Sequence, residues 1–304
     1  MKRILTSVVL FLCCAATSFA QFSGSGAGTE SDPYLILNPI QLNQLRNYLN
    51  KSGVYFKLMA DIDLTEFLED ENPDQGWQPV GTSSSPFKGI FDGNGHTISG
   101  LWINRPNSDY VGFFASLNCG TVKNLTLKGG TIKGKNYVGL MSGADGDFID
   151  CYFEGSVSGV SYVGGFTGYR SNFTRVTSRV DVLGTGDYVG GLSAKNGNFT
   201  SCSVICNYVQ GNNYVGGLCG FIDVSGKQFS SCDVHTNIDG NDNVGGLCGR
   251  IDNQYGANMS KCFFIGNISA NSGVGGLCGV YKGQSECKCC FVLGHIEARG
   301  NEVG

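Results

Sequence analysis

From Gly120 onward the large apolar residues of this chain come in short bursts, broken every few positions by Gly, Asn, Asp or Ser. No burst lasts long enough to hold a helical period, so each reads as a short strand between turns. The bursts recur in a fixed order. The first places an aromatic residue or Met three positions before a smaller one: Phe148 and Cys151, Phe173 and Val176, Phe199 and Cys202, Phe229 and Cys232, Met259 and Cys262. The second is β-branched and often flanked by Gly, as in Gly155-Ser156-Val157 and Gly266-Asn267-Ile268. A polar turn follows. A glycine-rich phrase then closes the unit: Tyr162-Val163-Gly164-Gly165-Phe166-Thr167-Gly168, Tyr214-Val215-Gly216-Gly217-Leu218-Cys219-Gly220, Val244-Gly245-Gly246-Leu247-Cys248-Gly249.

The phrase starts at Val111, Val138, Val163, Val189, Val215, Val244 and Val274, and opens again at Val303, at spacings of 27, 25, 26, 26, 29, 30 and 29 residues. A unit of that length cannot bury its own apolar face and must stack on its neighbours. Three short strands and three turns per unit predict an all-β fold, a parallel β-helix with one coil per 25–30-residue repeat. A β-propeller blade needs about 40 residues or more. The fourth position of the phrase is always large and apolar (Phe114, Met141, Phe166, Leu192, Leu218, Leu247, Leu277), which predicts one buried column.

Upstream, residues 21–32 are rich in Gly, Ser and Thr and read as a flexible lead-in. Residues 33–104 read as an N-terminal cap and first coils, before repeats over 105–304. Ile40 to Asn50 predicts a short capping helix with Leu42, Leu45 and Leu49 on one face and Asn38-Pro39 as its start signal. Tyr55–Asp63 alternates as a strand. Glu66–Trp77 reads as an acidic loop, and Phe87–Ile103 as two strands about the turn Asp92-Gly93-Asn94-Gly95.

Residues 1–20 read as a secretory signal peptide: Lys2 and Arg3, an apolar run from Ile4 to about Ala16, then Ser18-Phe19-Ala20. Leu12 directly before Cys13 argues against a lipoprotein site. No stretch is apolar enough for a membrane span. The predicted location is therefore secreted or on the outer cell surface. The chain has 25 acidic against 21 basic residues, and the basic ones form no stripe, which argues against nucleic acid as a partner.

Twelve cysteines follow the signal segment. Cys151, Cys202, Cys232, Cys262 and Cys289 fall in one column of the repeat, and Cys219, Cys248 and Cys278 in another, where Ser142, Thr167 and Ser193 also stand. That interchange predicts free thiols packed as small residues. Cys119, Cys206, Cys287, Cys289 and Cys290 lie off these columns or crowd their end and are the candidates for pairing.

The Val-Gly-Gly-Leu-Cys-Gly phrases resemble the GLUG motif. Ala60-Asp61-Ile62-Asp63-Leu64, Trp77-Gln78-Pro79-Val80-Gly81 and the run Phe87 to Ile98 resemble the segment that precedes such repeats. The resemblance, which covers most of the chain from about 28, implies a right-handed β-helix. It also implies kinship with bacterial surface adhesins, Bacteroidetes-like in the signal segment, and with non-catalytic regions of immunoglobulin A1 metallopeptidases. The first two units depart from the motif, with Phe113 and Leu140 where Gly is expected, which predicts a different local bend.

Candidate chemistry is sparse. The three histidines are far apart and none begins His-Glu-x-x-His. Asp70-x-Asn72-x-Asp74 has the alternating oxygens of a calcium loop, the only metal site the sequence suggests. Gly76 comes one place late, Pro73 intrudes and Gly81 stands where Glu is wanted, so a solvated acidic loop is the better reading and no cofactor is expected. Asp61 and Asp63 share one side of a strand but lack a recurring basic partner.

Tyr110, Tyr137, Tyr162, Tyr188 and Tyr214 precede the Val in successive units and would stack into a ladder. Tyr137, Tyr162, Tyr188 and Tyr214 are the candidate ligand-binding residues, weighed against simple cross-coil packing. The expected function is an adhesin-like scaffold that binds host glycans or surface proteins. A polysaccharide-active β-helix enzyme and a passive stalk are the alternatives. The unfinished phrase at Glu302-Val303-Gly304 suggests a fragment of a longer chain, or an open last coil that self-associates.

Overall fold

The computed structural model describes residues 22–252, 256–283 and 286–300. The signal segment and the unfinished final phrase lie outside them. The chain winds into a parallel β-solenoid. Its first face is a ten-stranded ladder that begins at Tyr34–Ile36, passes through Tyr55–Leu58 and Ile90–Asp92, and ends at Cys287–Lys288. The second face carries the longest strands, Thr126–Lys133, Tyr152–Gly159, Thr177–Gly184 and Ser203–Gln210. Pairing on the first face is in register from coil to coil, so Phe148 lies beside Phe173, and Phe173 beside Phe199, while the second face carries local register shifts. The first face runs unbroken past residue 104, so the cap and the repeats share one ladder.

The third side corrects one expectation. The glycine phrase is not a single strand. Its Val-Gly half ends a six-stranded ladder, and its small residue opens another set of strands, Cys219–Ile222 and Cys248–Asp252 among them. The paired glycines form the corner between the two. A Cβ on Gly165 would lie 2.2 Å from the carbonyl oxygen of Gly191 in the next coil. No side chain fits there, which is why the phrase keeps glycine.

In the first two units Phe113 and Leu140 stand at that corner, and their side chains are fully buried. The bend differs as expected. Phe113 N–H donates to the Leu140 carbonyl and Leu140 N–H to that of Gly165, whereas Gly165 N–H donates one residue earlier, to Gly190. Space is made elsewhere: Phe113 stacks on Trp77 at 4.8 Å, and Leu140 packs where Gly130 has no side chain.

The core is a set of columns. Phe148, Phe173, Phe199 and Phe229 stack at 5.0–5.3 Å. From Phe114 to Leu247 the fourth-position residues of the phrase are wholly buried in one column, and Leu277 in the last described phrase is half-buried. Each such burial stabilises by about 1.5–3 kcal/mol.

The Ser/Thr/Cys column has a hydrogen-bonding reason beyond size. Ser142, Thr167 and Ser193 each donate a hydroxyl to the carbonyl two residues on, and Cys219, Cys248 and Cys278 point their thiols at the same carbonyl. The other thiol column contains Cys151, Cys202, Cys232, Cys262 and, in place of the expected Cys289, Cys290. Register decides this: Phe263 pairs with Phe291, so Cys262 aligns with Cys290. Cys289 takes the corner before it, at φ 55°. All twelve cysteines are unbridged, including those expected to pair.

The N-terminal end is closed as predicted, with differences in detail. The helix α1 (Pro39–Asn43) starts at Asn38, whose side chain accepts the Gln41 N–H, and continues as a 3-10 turn, Gln44–Tyr48. Leu42 and Leu45 are buried against the first coil. The lead-in is held in place: Phe22 is buried among Tyr34, Tyr48 and Phe56. The acidic loop is also corrected, because Thr65–Glu71 forms a second helix, α2. Asp63 accepts both the N–H and hydroxyl of Thr65 at its first turn, and Leu68 is buried beneath it.

Two outcomes follow from this packing. Leu247→Ala should lower stability by about 2–5 kcal/mol, read from denaturant titration, because a stacked column cannot close the cavity. In native protein a thiol-alkylating reagent should label Cys119, Cys287 and Cys289. Cys202, Cys219, Cys232, Cys248 and Cys262 should react only after denaturation, since they are buried. Burial also pushes the Cys151 thiol up to about 12 and that of Cys248 well above its ordinary range. Cys278, expected to be shielded, is half-buried and should react at an intermediate rate.

Candidate functional site

Five tyrosines form a continuous stack along one edge of the solenoid. Ring centroids are 4.6 Å apart for Tyr110 and Tyr137, 4.5 Å for Tyr137 and Tyr162, 4.7 Å for Tyr162 and Tyr188, and 4.9 Å for Tyr188 and Tyr214. Their planes lie 5–24° from parallel. The rings are half-buried, with one edge to solvent. Each tyrosine sits just before the phrase, where the chain turns into its corner strand. All five have positive φ, between 56° and 64°. In the next two coils the same position is Asn243 at 59° and Gly273 at 57°.

A second column runs beside the ladder. In register it reads Ala144, Tyr169, Lys195, Phe221, Arg250 and Val280. Tyr169 stands edge-on to Tyr137 and Tyr162 at 6.1 and 6.2 Å. The Lys195 ammonium lies 5.5 Å from the Tyr188 ring and 5.0 Å from Phe221. The Arg250 guanidinium lies 6.0 Å from Tyr214. Asp223 holds Lys195 at 2.7 Å, and Asp252 holds Arg250 at 2.6 Å. The face thus combines flat aromatic edges with fixed cations and carboxylates, groups that can stack on a sugar ring and hydrogen-bond its hydroxyls. Burial pushes the Tyr110, Tyr137, Tyr162 and Tyr188 hydroxyls above their ordinary range; the next phenol adds to this at the first three, while Lys195 opposes it at Tyr188.

The other candidates are placed differently. Asp70 is exposed on α2, Asn72 ends that helix with its carbonyl taken by Gln75 and Gly76, and Asp74 lies in the turn beyond. The alternation that suggested calcium is taken up by helix and turn. Among the described residues no three His, Cys, Asp or Glu side chains converge as a metal set. Asp61 accepts from the Thr97 N–H at 2.9 Å and meets His96 Nδ1 at 3.1 Å, while Asp63 is used by Thr65. Two grooves hold two carboxylates with basic residues: Asp145 and Asp147 with Arg170 and Lys227, and Glu154 and Asp181 with Arg179. Burial raises Asp145, and Asn172 holds Asp147 at 2.7 Å.

Two relatives and one solved structure place the chain among known proteins. The chain is 36% identical over 166 residues to a protein named "Putative Gly-rich membrane protein" from Evansella cellulosilytica, a match covering 49% of this chain and 19% of that one. It is 32% identical over 146 residues to "Halomucin" from Haloquadratum walsbyi, covering 47% of this chain and 2% of that protein. The chain therefore spans a fifth or less of either relative. The crystal structure of a "putative immunoglobulin A1 protease" from Bacteroides ovatus superposes with a TM-score of 0.63 at 23% identity, covering 86% of each chain, and so shares the fold. No family model matches the chain. No helix among the described residues is long and apolar enough to cross a membrane.

The raised phenols give the ladder a pH signature. A proton leaves the folded tyrosine less readily than the unfolded one, so the stack stabilises the fold below about pH 10, the ordinary tyrosine range. Stability should fall as pH climbs through and above that range. Thermal melts from pH 8 to 11, run beside tyrosine absorbance, should show the melting temperature dropping as the phenols ionise, and less so in a Tyr162→Phe, Tyr188→Phe double variant.

Proposed function

We propose that the chain is a secreted or surface-displayed, adhesin-like β-solenoid whose tyrosine-lined edge binds carbohydrate or a host surface protein. The observation that carries this reading is the tyrosine column itself. A non-glycine residue in the left-handed region costs roughly 1–2 kcal/mol. Asn243 and Gly273 turn the same corner without an aromatic ring. The corner therefore does not need tyrosine. Ring stacking at about 0.5–1.5 kcal/mol per pair offsets much of the strain, but it leaves a flat aromatic strip, half open to water and edged by cations, on a rigid frame.

The context supports the same reading. The repeated phrase resembles the GLUG motif, and the resemblance carries surface display and the kinship to adhesins with it. One relative is named as a membrane protein. The solved neighbour named as an immunoglobulin A1 protease shares the solenoid. The enzyme reading asks for three or more acids and a base in one groove, and the grooves of Asp145 and Asp147 and of Glu154 and Asp181 supply two each.

A glycan array of the purified protein tests this. Binding to a defined set of saccharides is expected, falling tenfold or more in a Tyr162→Ala, Tyr188→Ala variant whose circular dichroism is unchanged. A blank array, or binding indifferent to both tyrosines, would overturn the ligand-binding reading and favour the passive stalk.

A further inference from the structure

The ladder is closed at one end and open at the other. At its far end Tyr214 is met by Phe221 at 5.2 Å and by Arg250. At its near end Tyr110 stacks on Tyr137 with one face, and among the described residues no ring lies against the other. Tyr110 instead lines a groove of about 390 Å³ with Gln78, Thr82, Arg105, Ser108 and Asp109. The side column is smallest here, since Ala144 takes the place filled by Tyr169, Lys195, Phe221 and Arg250 in later coils.

Two guanidinium groups serve this end without an acidic partner. Arg105 is half-buried, its Nε has no hydrogen-bond partner, and among the described residues no carboxylate forms an ion pair with it. Arg46 spends its donors on neutral oxygens: Nε on the carbonyl and side-chain oxygen of Asn43, and one terminal nitrogen on the carbonyl of Gln78, the residue that lines the groove. Burial, and then the charge of Arg105, pulls Arg46 below its ordinary range, so the two cations feel each other. The nearest acids are otherwise placed. Asp109 lines the groove but accepts from the Asn136 backbone N–H and side-chain amide. Glu71 lines the adjoining hollow with Arg46 and forms no ion pair with it.

A half-buried guanidinium that no carboxylate ion-pairs, beside an aromatic face without a stacking partner, fits one ligand chemistry. We infer that this groove binds an acidic pyranose, a sugar ring bearing a carboxylate. The ring lies on the free face of Tyr110 as the next step of the stack, and the carboxylate pairs with the Arg105 guanidinium. Arginine suits this task because its fork matches a carboxylate's two oxygens. Ser108 and Thr82 offer hydroxyls to the sugar's own. The inference rests on the carbohydrate reading of the ladder and narrows it to one site and one class of sugar.

Saturation-transfer NMR and calorimetry with the methyl glycosides of glucuronic acid and N-acetylneuraminic acid, against methyl glucoside and sodium sulfate, test it. At least one acidic glycoside should bind tenfold or more tighter than methyl glucoside. That affinity should fall tenfold or more in Arg105→Gln and in Tyr110→Ala, weaken with added salt, and survive the Tyr162→Ala, Tyr188→Ala change. Arg105→Gln removes the charge and shortens the side chain but keeps a polar amide, so it serves as the check if Tyr110→Ala fails to fold. Sulfate competing as well as the acidic sugars would mark a simple anion site and overturn the inference. Neutral oligosaccharides that bind through Tyr162 and Tyr188, with acidic glycosides indifferent to Arg105, would overturn it while leaving the ladder reading intact. Binding of no sugar at all would overturn both.

Discussion

The solenoid depends on how closely two backbones can approach at the glycine corner. A Cβ on Gly191 would meet the Gly217 carbonyl oxygen of the next coil at 2.1 Å, and one on Gly217 would meet that of Gly246 at 2.3 Å. These distances forbid any side chain. They also lock one coil against the next, because a slip of one residue would drive a Val or Leu side chain into that space. Register in a sheet is otherwise weakly held wherever residues are small or polar. Here the corner fixes it once per turn.

Everything that runs along the rod follows from that registration. Phenylalanine lies on phenylalanine, a thiol or hydroxyl on its equivalent, tyrosine on tyrosine. Each coil then interacts chiefly with its two neighbours, so stability is a sum of similar interfaces. The corner tolerates exceptions only when a neighbouring residue yields. Phe113 and Leu140 enter the core where Trp77 offers a stacking face and Gly130 offers space, and the hydrogen bonds shift by one residue to accommodate them. The different bend expected of these units is therefore real, and it is local.

Much of this was legible in the sequence because columns are periodic. The Val-Gly-Gly-Leu phrase, the aromatic column and the tyrosines announce themselves by spacing alone. What escaped has physical reasons. The corner between the first and second faces is held at positive φ by Asn124, Asp150, Arg175, Ser201, Ser231, Lys261 and Cys289. Only Asn and Asp in that set advertise the conformation, so Cys289 could be mistaken for the core position that Cys290 occupies. The helix α2 was hidden by acidic composition, since Phe67 and Leu68 are too few to show a period. The approach of Arg46 toward Arg105, close enough for one charge to lower the other, leaves no local sequence pattern at all. Spacing alone shows the tyrosines as a stack, but not their left-handed backbone, because tyrosine is not a residue that favours it.

That last point bears on what the edge is for. Asn243 and Gly273 take the same backbone without a ring, so the corner itself does not call for tyrosine. Five consecutive coils instead keep tyrosine against the backbone's preference. The side column changes along the same path, from Ala144 beside the first rings to Tyr169, Lys195, Phe221 and Arg250 beside the later ones. The strip is thus graded. It is bordered by small residues and unpaired guanidinium groups at the end nearest the capping helix, and hemmed by bulky residues and paired charges farther along. The core columns stay nearly uniform along the same path, so they do not themselves call for such a gradient. The ligand proposed above, lying along the edge from that end, would call for one.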